Sequence, residues 1–169
     1  TLTRGTGAWK AVVERFGHAI LTPDGQVDRK KLADVVFADP AARGALEAIV
    51  HPEVYHAIVR WFRELETEGR HVLAIADIPL LYETDRASEF DRVIVVACPP
   101  AEQMNRVMKR DGASETEARL RLAAQWPIED KAMRADFVIR TDTTIDNTNR
   151  QVDELYRTLA NDAMKNRDW

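Results

Sequence analysis

Two sets of side chains in this sequence have the types and spacing for chemistry on an anion. The first is acidic. Asp77 closes the apolar run Val72–Ala76, and Glu83 follows across Pro79, Leu80, Leu81 and Tyr82. A carboxylate at the end of a buried strand can hold Mg²⁺ through water or orient a hydroxyl. In open parallel sheets, ligands sit beyond the carboxyl ends of the strands. The plainer alternative is that Asp77 caps the next turn and Glu83 is solvated. The second set is basic: Arg106, Lys109, Arg110, Arg119 and Arg121. Arg106 and Arg110 are spaced for one helix face, and Gln125 follows Arg121 by one turn. Planar guanidinium forks suit phosphate oxygens and the charge that develops in phosphoryl transfer. With Glu115, Glu117 and Glu129 nearby, the same stretch also reads as a solvated, salt-bridged hairpin. His51-Pro52 and His56 form a third lead, able either to contact a phosphate or ring or to serve only as a helix junction.

Other chemistries find little support. Gly5-Thr6-Gly7 is followed by no Gly-Lys-Ser/Thr, as a phosphate loop requires. No Ser/His/Asp order or His-x-x-x-His pair occurs, and no metal-ligand set is expected. The single cysteine, Cys98, excludes an internal disulfide framework and reads as a small buried residue. A net charge of −4 gives no global field for nucleic acid. No run is long enough for a membrane span, so a cytoplasmic location is expected.

The elements that must position these residues follow from periodicity. The 169 residues suffice for one domain with a real core. Trp9, Val12, Val13 and Phe16 recur at helical spacing before Gly17. Thr22-Pro23-Asp24-Gly25 is a turn. Asp28 and Asp39-Pro40 are helix starts, with Leu32, Val35 and Val36 inward on the first. His51-Pro52 is expected to break or kink the second helix. Its apolar stripe continues through Val54, Ile58, Trp61, Phe62 and Leu65, with Trp9, Trp61 and Phe62 read as core. Val72–Ala76 and Val93–Ala97 read as strands buried on both faces of a parallel sheet, and Phe137–Ile139 as a third. Pro99-Pro100, the Ser114–Glu117 capping box and Pro127 open three helices. Ile145, Val152, Leu155, Tyr156 and Leu159 mark a last amphipathic one. Strands alternating with helices predict an α/β fold. Three strands are few for such a sheet, and the chain opens on Thr, so it is expected to be incomplete at its N-terminus.

In order, the sequence carries Val13–Gly17, Val36–Pro40, Leu46–Pro52, Asp77–Glu83, Arg106–Asp111 and Arg121–Gln125. The pattern resembles the dephospho-coenzyme A kinase family from about Arg4 to Leu159. The resemblance implies a P-loop kinase-like fold, a three-layer parallel sheet with a helical insertion and a helical lid. It implies an acceptor-binding subdomain at 6–68, a nucleotide-binding core at 71–105 and 134–169, and a lid at 106–133. It further implies transfer of the ATP γ-phosphoryl to the ribose 3′-hydroxyl of dephospho-coenzyme A, with Mg²⁺. Arg106, Arg110 and Arg121 are then the catalytic candidates, Arg121 foremost within Arg-x-x-Ala-Gln. His51, Pro52, Asp77, Pro79, Leu80, Leu81 and Glu83 are acceptor-binding candidates, and Gln125 and Asp142 nucleotide-binding ones. The family's first strand, its phosphate loop and its Asp-Ala-Asp-like base segment have no counterpart in these residues. Arg140-Thr141-Asp142-Thr143 stands where relatives carry an Asn-rich turn. Residues 1–169 alone are therefore expected to be inactive, with the sheet completed by a further N-terminal segment or another chain. The competing readings are a different nucleotide or nucleoside kinase, and a non-catalytic module for coenzyme A-like ligands or for assembly.

Overall fold

A computed structural model of the chain describes residues 2–165. Residues 166–169, the end of the expected core segment, lie outside the described residues. The chain divides after residue 74 into two compact units.

The first unit is helical. α1 (Gly7–Phe16) is capped by Thr6 and ends at Gly17, whose φ of 77° is open to glycine. A 3₁₀ turn at His18–Ile20 and the turn at Thr22–Gly25 lead to α2 (Arg29–Ala38). The Asp28 carboxylate caps α2 by accepting from the Lys30 and Lys31 amides. Asp39 does the same for α3 (Pro40–Glu68) through Ala41 N. The core joins Val12, Ile20, Leu32, Val36 and Ala42, with Leu46, Ile49 and Val50 against it. Val35, expected inward, is exposed. It lies next to Val36, and only a narrow stripe of this short helix reaches the core.

α3 differs from expectation at His51-Pro52. It runs unbroken through Pro52 for 29 residues, about 44 Å. Pro52 offers no N–H to the Ala48 carbonyl and its ring crowds that turn. Pro52 is itself exposed, so solvent can satisfy the freed carbonyl. The helix outruns its partners: Val59 and Trp61 are 41% and 40% exposed. Trp61 is thus a surface residue paired with Phe62 at 5.1 Å, not a core one.

The second unit is α/β. β1 (Ile94–Ala97) is followed by α4 (Pro100–Asp111), α5 (Glu115–Ala123), α6 (Ile128–Arg134), β2 (Phe137–Arg140) and α7 (Ile145–Lys165). β1 and β2 pair in parallel, Ile94 opposite Phe137 through Ala97 opposite Arg140. The ladder is sealed where it begins by Asp136, which accepts from Val93 N at 2.8 Å, and where it ends by Thr141 N to Ala97 O. At β2, the Gln151 amide bonds both Arg140 N and Arg140 O at 2.9 Å. Tyr82, Val93, Val95 and Ala97 form the core, covered by Leu81, Ile128 and Ala132.

Two expectations for this unit are corrected. Among the described residues the sheet has two strands, not three, because Val72–Ala76 pairs with nothing. Branched residues favour a pleated surface but do not supply the neighbour that makes a strand. Val72 and Ile75 are instead 41% and 64% exposed. Nor is β1 buried on both faces, since Val96 is 61% exposed. The last helix forms, yet Ile145, Val152 and Tyr156 on its apolar side are exposed.

The burial pattern sets the response to truncation. Val12→Ala should lower the unfolding free energy by about 1–3 kcal/mol, because Val12 is wholly buried. Val59→Ala on α3 should change it by less than about 0.5 kcal/mol. Urea denaturation of the two variants checks the contrast.

Candidate active site

Between Ile78 and Arg86 the chain coils into a locked loop. Leu81 N reaches Ile78 O, Thr84 N reaches Leu80 O, and Arg86 N reaches Leu81 O. Thr84 Oγ1 repeats the bond to Leu80 O at 2.8 Å. Asp85 ends the coil at φ 54°, a left-handed conformation that aspartate tolerates better than most residues. The loop thus holds Pro79, Leu80, Leu81 and Glu83 through its own backbone, and Asp77 stays exposed at its mouth.

Glu83 points from this loop to the α5–α6 connection. Its Oε1 accepts from Trp126 N at 2.8 Å and pairs with Lys131 Nζ at 2.7 Å. Lys131 Nζ also donates to Pro79 O at 3.3 Å and Gln125 Oε1 at 3.4 Å. The Tyr82 ring stacks on Trp126, centroids 6.2 Å apart, and Arg134 lies 4.7 Å over the Trp126 ring. Burial, then the nearby Asp136 charge, pushes the Tyr82 hydroxyl's pKa upward. Trp126, Pro127, Asp130, Met133 and Arg134 line an adjoining open groove of about 470 Å³.

The arginines separate into two groups. Arg110 and Arg121 converge on one carboxylate, Asp111. Arg110 grips it with Nε at 2.7 Å and Nη2 at 3.0 Å, and Arg121 Nη1 bonds the same Oδ2. Gly112, at φ 63°, makes the tight exit from α4 that brings α5 back toward this carboxylate. The convergence of two guanidinium groups is the geometry expected of an anion site, with Asp111 as the anion. Arg106 lies elsewhere. It pairs with Glu102 at 2.8 Å and donates to Thr141 Oγ1 and O at 2.9 and 2.6 Å. That position is just past the carboxyl end of β2, where ligands of parallel sheets bind. Arg140, the last residue of that strand, forms a bidentate pair with Glu129. Exposed Asp142 adds to the charge that raises the pKa of Arg106 and of Arg140, after their hydrogen bonds to Glu102 and Glu129.

The structure therefore brings Arg110 together with Arg121, and Pro79 and Glu83 together with Gln125. Arg106 and Asp142 form a separate cluster. His51, half-buried, and exposed Pro52 belong to the first unit, in mid-α3. Sequence reasoning missed Asp111, Trp126 and Lys131 as site residues. Asp111 carries a local signal, a carboxylate directly after Arg110. Lys131 sits in Glu-Asp-Lys, which reads as a solvated helix face.

Arg110, then Arg121, hold the Asp111 carboxyl below its ordinary value of 3.8. A lowered native pKa means that this stabilisation is present above the unfolded-state value and is lost as pH falls through the native one. Arg110→Gln should move the Asp111 carboxyl titration upward, read by carbon-detected NMR. An unmoved titration would show that the hydrogen bond is not its cause.

The family model for dephospho-CoA kinase matches residues 1–147. The chain is 42% identical to the dephospho-CoA kinase of Cutibacterium acnes, over 92% of this chain and 68% of that protein. It is 48% identical to that of Anaeromyxobacter dehalogenans, over 80% and 64%. The chain thus spans about two thirds of the length of these relatives. Among solved structures, TT1252 from Thermus thermophilus superposes with a TM-score of 0.68 at 31% identity, covering 90% of this chain and 80% of the other. A dephospho-CoA kinase from Campylobacter jejuni gives 0.63 at 25% identity, covering 95% and 79%. With an α/β unit bearing paired arginines and a helical unit beside it in sequence, the chain belongs to the dephospho-CoA kinase family.

Proposed function

We propose that the protein carrying this chain transfers the γ-phosphoryl group of ATP to the ribose 3′-hydroxyl of dephospho-coenzyme A. The observation that carries the reading is the family match, together with the pair Arg110 and Arg121 on a shared carboxylate. Phosphoryl transfer asks the protein chiefly for positioning and charge stabilisation. Two guanidinium groups that already share an anion can exchange it for phosphate oxygens, since both ligands suit the same fork. Arg121 takes the central position, reaching Asp111 from α5, one turn before Gln125.

Residues 106–133 act as the lid, 71–105 and 134–169 as the nucleotide-binding core, and 6–68 as the acceptor-binding part with His51 and Pro52. The division after residue 74 supports the last boundary. Asp77, Pro79, Leu80, Leu81 and Glu83 form the acceptor-side wall, which the rigidity of the 78–86 loop favours. Asp142 and Gln125 serve the nucleotide. Arg106 steadies the turn after β2 through Thr141 and reaches phosphate from there.

Among the described residues no three metal-ligating side chains come together. Mg²⁺ enters the proposed reaction as part of the MgATP substrate, held mainly by phosphate oxygens and water. Among the described residues no helix is long and apolar enough to cross a membrane. The reading places the protein in the cytoplasm, and the buried free thiol of Cys98 is compatible with a reducing compartment.

An assay coupling ADP release to coenzyme A formation, run on the polypeptide that carries residues 1–169, tests the reading. ATP-dependent conversion of dephospho-coenzyme A is expected. Arg121→Gln should lower kcat about 10²–10³-fold, while Arg119→Gln, at an exposed pair with Glu115, should leave it within about twofold. An Arg121→Gln variant at full rate would remove Arg121 from the mechanism.

A further inference from the structure

Lys131 is 7% exposed, and it is the one charged residue buried among the described residues. Lysines are almost never buried without partners, and a buried ion pair is a poor source of stability, because desolvation offsets its attraction. Its placement therefore asks for another explanation. An ammonium has three donors, and here three acceptors meet it: Glu83 Oε1, Pro79 O and Gln125 Oε1. Two of them belong to the coiled loop that starts after Ile78. The third belongs to the end of the α5 segment that carries Arg121. One side chain thus ties the proposed acceptor wall to the proposed lid.

The second observation is what the tie leaves over. Glu83 Oε1 is taken twice, by Lys131 and by Trp126 N, whereas Glu83 Oε2 is buried and bonded to nothing. The Tyr82 hydroxyl, one residue earlier, is in the same state. Buried polar atoms are nearly always satisfied, and the exceptions call for a functional account. A carboxylate with one oxygen clamped and the other open is fixed in orientation and retains capacity to accept a hydrogen bond.

We propose that Lys131 is a positioning residue for acceptor binding: it clamps Glu83 Oε1 so that Oε2 accepts a hydrogen bond from an O–H or N–H group of the acceptor substrate. The role rests on the phosphoryl-transfer reading above. Lys131 itself touches no substrate and acts through Glu83.

Calorimetric titration of dephospho-coenzyme A into the polypeptide carrying the chain tests it without turnover. Lys131→Met should weaken acceptor binding about ten- to hundredfold, the scale of a misplaced contact. Glu83→Gln should weaken it by a similar factor, and the double variant by no more than the worse single one. The double variant buries no unpaired charge, so it keeps the test open if Lys131→Met alone does not fold. Thermal melting is followed in parallel. Lowered melting temperatures with wild-type acceptor affinity would make Lys131 merely structural and overturn the proposal. So would affinity losses that simply multiply in the double variant. A wild-type chain that binds no dephospho-coenzyme A overturns the functional reading, and this proposal with it. Wild-type binding matched by all three variants overturns the proposal alone.

Discussion

Two parallel strands cannot be joined by a tight turn. The chain must leave the end of one and return to the start of the other, a journey that takes a dozen residues or more. Between Ala97 and Phe137 the whole of α4, α5 and α6 makes that journey. Every arginine proposed to meet phosphate lies on this crossover. The pairing of β1 with β2 therefore does more than build a small sheet. It fixes where the crossover leaves, at the carboxyl end of β1, and where it returns, at the amino end of β2, and on leaving it carries Arg106 to Thr141 just beyond β2. The helices are free to elaborate between those two fixed points, and the double reversal at Gly112 and Gln125–Pro127 is such an elaboration.

Cations in this unit are managed by internal anions. Asp111 holds Arg110 and Arg121, Glu102 holds Arg106, Glu129 holds Arg140, and Glu83 holds Lys131. The four arginines' pairs lie in solvent-accessible positions, where each contributes little to stability. Their effect is orientation. The fork of each guanidinium is already directed at a carboxylate, so under the proposed reading less freedom would be lost on exchanging that carboxylate for phosphate oxygens. The Glu83–Lys131 pair is different in kind, because burial takes both charges out of water and leaves them to fixed protein groups, each other together with Trp126 N, Pro79 O and Gln125 Oε1.

What was legible in the sequence divides along locality. Helix starts at Asp28, Asp39 and Ser114 stand where expected, because a cap is decided by residues within one turn. The parallel order of β1 and β2 was readable from their alternation with helices. Val72–Ala76 was not, since its composition is that of a strand and only the absence of a neighbour among the described residues makes it irregular. Pro52 misled for a related reason: a proline weakens one helical bond, but the strong apolar contacts of Leu46, Ile49 and Val50 on one side and buried Tyr55 on the other keep α3 continuous. At the site, Arg110 and Arg121 were visible as types, whereas their shared carboxylate depends on how α5 folds back. Lys131 was invisible because all three of its partners are distant in the chain or lie across a helix boundary.

Gln151 has a consequence beyond holding α7 against the sheet. Its side-chain amide offers one donor and one acceptor to the Arg140 backbone, the same pair that an added strand would present. A sheet edge is a template on which other chains can stack, and proteins blunt such edges in several ways. Here a glutamine counterfeits the next strand for a single residue. Any chain seeking to extend the ladder at that point must first displace it, so the edge of β2 is blocked to strand addition at its last residue.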